Sequence, residues 1–156
     1  MTIRSLMRFN YSIVAVAALL GVLGPFRSHA ALGETEQTAT SDAQLLGGVM
    51  KSTQRTAYRV HQILLPSGTE LREYAGSDGV VFAVGWKGPA LPDLRQALGR
   101  YFDVYVGAQQ AKRGHGHSEV RQAGLVVQSR GHMRAFSGRA YLPQSLPAGV
   151  SPDELR

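Results

Sequence analysis

Apolar positions between Tyr58 and Tyr141 recur first every second residue, then every third or fourth, then every second again. The run Tyr58-Arg-Val-His-Gln-Ile-Leu-Leu65 is rich in strand formers and stops at Pro66-Ser67-Gly68, and Thr69-Glu-Leu-Arg-Glu-Tyr74 then resumes the alternation. Two such runs joined by a Pro/Gly turn predict a hairpin. After the turn residues Gly76-Ser77-Asp78-Gly79, the segment Val80–Trp86 is apolar on both faces, with Val80, Phe82, Val84 and Trp86 on one and Val81, Ala83 and Gly85 on the other. A strand with two apolar faces belongs in the middle of a sheet.

Gly88-Pro-Ala-Leu-Pro92 ends the strand pattern. Pro92 suits a first helical turn, and Asp93 complements the positive end of the helix dipole. Leu94, Leu98, Tyr101, Phe102 and Tyr105 then fall on one helical stripe, with Arg95, Gln96, Arg100 and Asp103 opposite. Gly99 interrupts this stripe at a cost of roughly 1 kcal/mol relative to Ala, which predicts a close approach of helix to sheet. Beyond the polar stretch Lys112–His117, the runs Gly124–Ser129 and His132–Tyr141 flank Arg130-Gly131 and predict a second hairpin. The fold class that follows is α+β: an antiparallel sheet of about five strands, in the order βββ-α-ββ, covered by one amphipathic helix.

The flanks read differently. Residues 1–30 have the order of a secretory signal: Arg4 and Arg8 without an acid, then the 13-residue apolar run Tyr11–Leu23, closed by Gly24-Pro25. That run is short of the roughly 18 to 20 residues a membrane-crossing helix requires, so no transmembrane span is expected in the mature chain. Ser28 and Ala30 fit the small-residue positions of a cleavage site between Ala30 and Ala31. Residues 31–55, poor in apolar side chains, read as a flexible lead-in. Residues 56–150 read as the single domain and 151–156 as a tail.

Composition narrows the picture further. The whole chain carries +6, but Arg4, Arg8 and Arg27 belong to the leader, and the remainder holds 14 basic residues against 11 acidic, only +3. The absence of Cys excludes thiol chemistry and disulfide scaffolds, so an exported fold has to be stabilised by its core alone. Glycine at 18 and proline at 7 follow no repeat, which sets collagen-like chains and solenoids aside.

Three stretches together resemble a known family: Gly79-Val-Val-Phe-Ala-Val-Gly-Trp-Lys-Gly-Pro89, then Leu91-Pro-Asp-Leu-Arg-Gln-Ala-Leu-Gly-Arg-Tyr-Phe102, and then Gly124-Leu-Val-Val-Gln-Ser-Arg-Gly-His-Met-Arg-Ala-Phe-Ser-Gly138 followed by Leu146-Pro-Ala-Gly-Val150. The chain is similar, from about residue 31 to 151, to the secreted proteobacterial proteins of domain-of-unknown-function family 2844. The resemblance implies a Gram-negative periplasmic or secreted protein and implies no activity, ligand or catalytic residue.

Residues with chemical potential are scattered. His115 and His117, with Glu119 nearby, offer two imidazoles and a carboxylate to a metal, but structural and catalytic sites use three or four converging ligands, and Lys112 and Arg113 repel a cation. No metal and no other cofactor is expected. Between Lys112 and Arg139 stand six basic residues against Glu119 alone. Of these, Arg121, Arg130 and Arg134 are the candidate anion-binding residues, because guanidinium holds phosphate or carboxylate through paired hydrogen bonds. Strand parity sends Arg134 and Arg139 to opposite faces unless Gly138 makes a bulge.

No catalytic residues are assigned. His61 and His132 have no neighbouring nucleophile or orienting acid in sequence, and Ser137 lacks the Gly-x-Ser-x-Gly pattern of a nucleophile elbow. Trp86, Tyr101, Phe102, Tyr105 and Phe136 have the surface for stacking on sugars, but their spacing is that of core positions. The expectation is a small exported binding or assembly module without catalytic activity. It would act on an envelope protein or an anionic envelope component and, being exported, on no nucleic acid. The alternatives are a small periplasmic enzyme, which a pocket joining His132, Arg134 and an acid such as Glu73 would favour, and a structural envelope protein.

The leader gives a first prediction. The exported protein should have an intact mass lacking residues 1–30 and begin at Ala31; a mass that retains them would make the segment an anchor.

Overall fold

The computed structural model describes residues 32–39, 43, 44, 46–111 and 118–155. The leader, the Ala30/Ala31 junction, Lys112, Arg113, His115 and His117 lie outside the described residues. The strands are β1 (Val49–Gln54), β2 (Tyr58–Leu64), β3 (Glu70–Gly76), β4 (Val81–Gly88), β5 (Ser118–Gln122), β6 (Leu125–His132) and β7 (Ala135–Tyr141). They form one antiparallel sheet of seven strands in the order β1-β2-β3-β4-β7-β6-β5. The first four make a meander, the helical segment carries the chain to the far edge, and the last three return until β7 pairs with β4.

Seven strands replace the five expected, within the same α+β class. The two additional strands, β1 and β5, are the two edges of the sheet. An edge strand has one neighbour and a solvated side, so its sequence needs few apolar residues and looks like loop. β1 lies inside the stretch read as a flexible lead-in and exposes Val49 to 75% of its surface. The rest of that stretch also packs on the domain: Leu32, Ala39 and Ala43 are buried, the Leu32 N–H donates to the Ala97 carbonyl, and Thr35 bridges Val80.

The amphipathic segment is bent rather than continuous. It comprises α1 (Leu94–Leu98), a 3-10 turn (Gly99–Tyr101) and α2 (Phe102–Ala111). Asp93 caps α1 by accepting from the N–H groups of Arg95 and Gln96 at 2.9 and 3.2 Å. Gly99 has φ +51°, a conformation that glycine adopts without a steric penalty, so it serves to break the helix. Leu94, Ala97 and Leu98 are buried, while Tyr101, Phe102 and Tyr105 are half-buried against the same core.

The faces of β4 differ from simple alternation. Its register with β3 slips at Tyr74/Ala75: Tyr74 opposes Ala83 and Ala75 opposes Val81, which leaves Phe82 as an extra residue. A bulge of this kind re-aims side chains. Val81, Val84 and Trp86 therefore join the core under the helix, and Phe82 and Ala83 join a second core on the opposite face. There the rings of Tyr58, Tyr74 and Phe82 meet with centroids 5.9 to 6.3 Å apart. The C-terminal segment closes this side with Leu146, Val150 and Leu155, the last fully buried.

The second hairpin turns at Met133-Arg134 instead of Arg130-Gly131. Both turn residues have positive φ, 47° and 69°, which matches a two-residue turn whose twist suits the flanking strands.

Burial on both faces predicts that two distant leucines matter equally. Leu98→Ala under the helix and Leu155→Ala under the C-terminal segment should each lower stability by about 2–5 kcal/mol. Leu91→Ala, at a side chain 47% exposed, should stay within about 0.5 kcal/mol. Denaturant midpoints read all three.

Candidate functional site

The strand registers place two rows of side chains side by side on the face away from the helix. One row runs Val49, Leu64, Glu70, Lys87, Ser137, Arg130, and the other Lys51, Gln62, Arg72, Gly85, Arg139, Gln128, Glu119. The C-terminal segment packs on the apolar row beside them, that of Val60, Tyr74, Ala83, Tyr141 and Val126. Apart from the buried Gly85, the two polar rows are exposed or half-buried.

A cleft of about 380 Å³ opens where these rows meet the C-terminal segment, lined by Trp86, Lys87, Gln128, Arg130, Ser137, Gly138, Arg139, Asp153 and Leu155. Gly138 is part of its lining, and a Cβ there would run into the Trp86 ring and the Gln128 carbonyl. Arg139 forms one wall: Nε donates to Gln128 Oε1 at 2.7 Å, Nη1 to the Pro152 carbonyl, and Nη2 to Asp153 at 3.1 Å. Across the sheet, Arg72 donates to Glu70 at 2.6 Å, and this hydrogen bond pushes the guanidinium above its ordinary pKa. Lys87 and Arg130 are exposed and form no salt bridge among the described residues. The cleft thus presents two uncommitted cations with the Ser137 hydroxyl on the strand between them.

The three arginines proposed from sequence do not converge. Arg130 lines this cleft, Arg121 is on edge strand β5 in an ion pair with Glu119 at 2.5 Å, and Arg134 is in the turn between β6 and β7. His132 and Arg134 also remain apart from Glu73, which is buried in β3 opposite His61 and Val84. Lys87 was missed because it follows a fully apolar run and has no basic neighbour in sequence; only the pairing of β4 with β7 and of β7 with β6 brings it to Arg130.

A second polar constellation lies on the helix side of the sheet. His61 is 6% exposed and paired across β1 and β2 with Ser52. Ser52 Oγ is 2.7 Å from His61 Nδ1, and His61 Nε2 is 3.1 Å from Glu36 Oε2. Glu36 Oε1 accepts from Arg59 at 2.5 Å. The sequence shows no partner for His61 because the serine is 9 residues away and the glutamate 25. Among the described residues, no three His, Asp or Glu side chains gather as metal ligands, and no helix is long and apolar enough to cross a membrane.

These features define a class: an α+β protein whose antiparallel sheet is covered by a bent helix on one face and partly open on the other. The chain belongs to the family described as protein of unknown function (DUF2844), whose model matches residues 28–155. No curated protein and no solved structure matches it.

Arg139 ties the C-terminal segment to the cleft, and its side chain is 19% exposed while that of Asp153 is 79% exposed. Arg139→Ala should therefore cost about 1–3 kcal/mol, because Gln128 and the Pro152 carbonyl lose their donor. Asp153→Ala should cost less than about 1 kcal/mol. Thermal or denaturant unfolding of the two variants checks the order.

Proposed function

We propose that the protein is an exported binding module that holds an anionic component of the cell envelope on the open face of its sheet. The observation that carries this reading is the pair Lys87 and Arg130, cations without a salt bridge among the described residues, flanking Ser137 in the cleft. Arg and Lys side chains at the rim and a hydroxyl between them suit phosphate or carboxylate oxygens, which accept hydrogen bonds and carry compensating charge. The order of charge, apolar run and small residues in residues 1–30 supports export, and export takes the protein away from nucleic acid. Gram-negative envelopes offer such anions as the phosphates of lipopolysaccharide. The basic residues once grouped by sequence divide accordingly: Arg130 belongs to the binding surface, while Arg121 and Arg134 lie outside it.

Retention of the mature protein on lipopolysaccharide beads and on heparin beads tests this. The double substitution Lys87→Gln and Arg130→Gln should weaken retention by about 10-fold or more, equivalent to ~1.4 kcal/mol. Arg121→Gln with Arg134→Gln should change it little. Rising salt should release the unmodified protein, since screening acts beyond roughly 8 Å at 0.15 M. Equal losses in the two double variants would indicate diffuse charge attraction. No retention at low salt would leave a protein partner as the better occupant.

A further inference from the structure

The Ser52, His61 and Glu36 constellation is independent of the basic cleft and lies on the other face of the sheet. From its geometry we infer that Ser52 is an activated nucleophile, with His61 as general base and Glu36 as the group that orients the imidazole, and that it accepts an acyl group from small esters.

The hydrogen bonds dictate the tautomer. The Glu36 carboxylate, already accepting from Arg59, can only accept from His61, so in the neutral imidazole the proton resides on Nε2. Nδ1 is left with its lone pair directed at Ser52 Oγ, 2.7 Å away, and the serine hydroxyl donates to it. A serine donating to an imidazole whose other nitrogen donates to a carboxylate is the arrangement that activates a hydroxyl for attack on a carbonyl. Arg59 keeps the glutamate in place, and Glu73, buried on β3, is the register partner of His61 and a further ionisable group beside it.

The strand geometry makes the nucleophile accessible. The N–H of Arg55 donates to the Tyr58 carbonyl, which makes 55 and 58 a hydrogen-bonded pair. Alternation along the register then makes Ser52 and His61 a non-hydrogen-bonded pair, the class in which opposed side chains come closest. In that class the backbone N–H points away from the partner strand. Because β1 is an edge strand, the N–H of the exposed residue Ser52 points outward and can donate to the oxygen of a carbonyl under attack.

In the step assigned here, Ser52 Oγ bonds to the ester carbonyl carbon while its proton passes to His61 Nδ1. The carbon–oxygen bond to the leaving alkoxide then breaks, and the alkoxide takes the proton from His61. Water repeats the sequence on the acyl-serine, releasing carboxylic acid and restoring the hydroxyl; no oxidant or reductant is consumed. Glu36 balances the charge of the imidazolium formed in each half.

The test uses the mature protein and a fluorophosphonate, a reagent in which a reactive serine oxygen displaces fluoride from phosphorus. One equivalent should attach, and peptide mass spectrometry should place it on Ser52. Ser52→Ala should abolish labelling without loss of fold, because the residue is exposed. His61→Gln should slow labelling by about 100-fold or more, Glu36→Gln by less, and Glu36→Asp should recover part of the rate. A second measurement covers the case in which the buried His61 variant fails to fold. Ser52→Cys should react with iodoacetamide well below the pH at which an ordinary thiol, near 8.5, begins to ionise, because the imidazole takes the thiol proton. Absence of labelling in the unmodified protein, unchanged labelling in a folded His61→Gln variant, or an ordinary thiol pH profile for Ser52→Cys would each overturn the assignment.

Discussion

A strand buried on both faces must be covered on both faces, and the architecture follows from how β4 meets that constraint. Val81, Phe82, Ala83, Val84 and Trp86 are all at most 2% exposed. Simple alternation would give each face every second residue, but the bulge at Phe82 divides the strand unevenly, sending Val81, Val84 and Trp86 to the helix and Phe82 and Ala83 to the C-terminal segment. Each group requires apolar partners removed from water. On one side these are Leu94, Ala97 and Leu98, and on the other Tyr141, Leu146 and Leu155.

The open face is a consequence of incomplete cover. The C-terminal segment packs on the apolar row of the sheet, held there by the buried Leu155 and by Arg139 from the adjoining row. The adjoining rows carry Lys51, Arg72, Lys87, Arg130 and Arg139, whose charges are favourable only where water or a partner remains in contact. Arg72 and Arg139 are engaged by Glu70 and Asp153, and Lys51 stands on edge strand β1 away from the cleft, which leaves Lys87 and Arg130 as the cleft cations available to an anion. The same edge-strand geometry that exposes Ser52 also leaves it hydrogen-bonded to a buried imidazole. Two chemically distinct surfaces therefore arise from one sheet.

Much of the fold was legible in residue order. The hairpin β2–β3, the central strand β4, the helical stripe starting at Asp93 and the return hairpin β6–β7 all have periodic apolar positions and strong turn or cap residues. The edge strands were not legible, because β1 and β5 contribute little to the core and so carry no apolar repeat. The break at Gly99 looked like a packing contact because sequence shows that glycine is required without showing whether φ or space requires it.

The amino-acid sequence by itself determined the α+β class, the family to which the chain belongs, and which segments bear an apolar face, since these depend on periods of two to four residues and on local turn chemistry. Tertiary structure alone decided which polar residues meet. Lys87 and Arg130 stand 43 positions apart and come together through the pairing of β4, β7 and β6, while Glu36 reaches His61 only because the N-terminal segment folds back beside β4. Charge and hydrogen-bonding side chains have no period to announce their partners. Their association is fixed by strand order and register, which are set by the burial of the apolar residues around them.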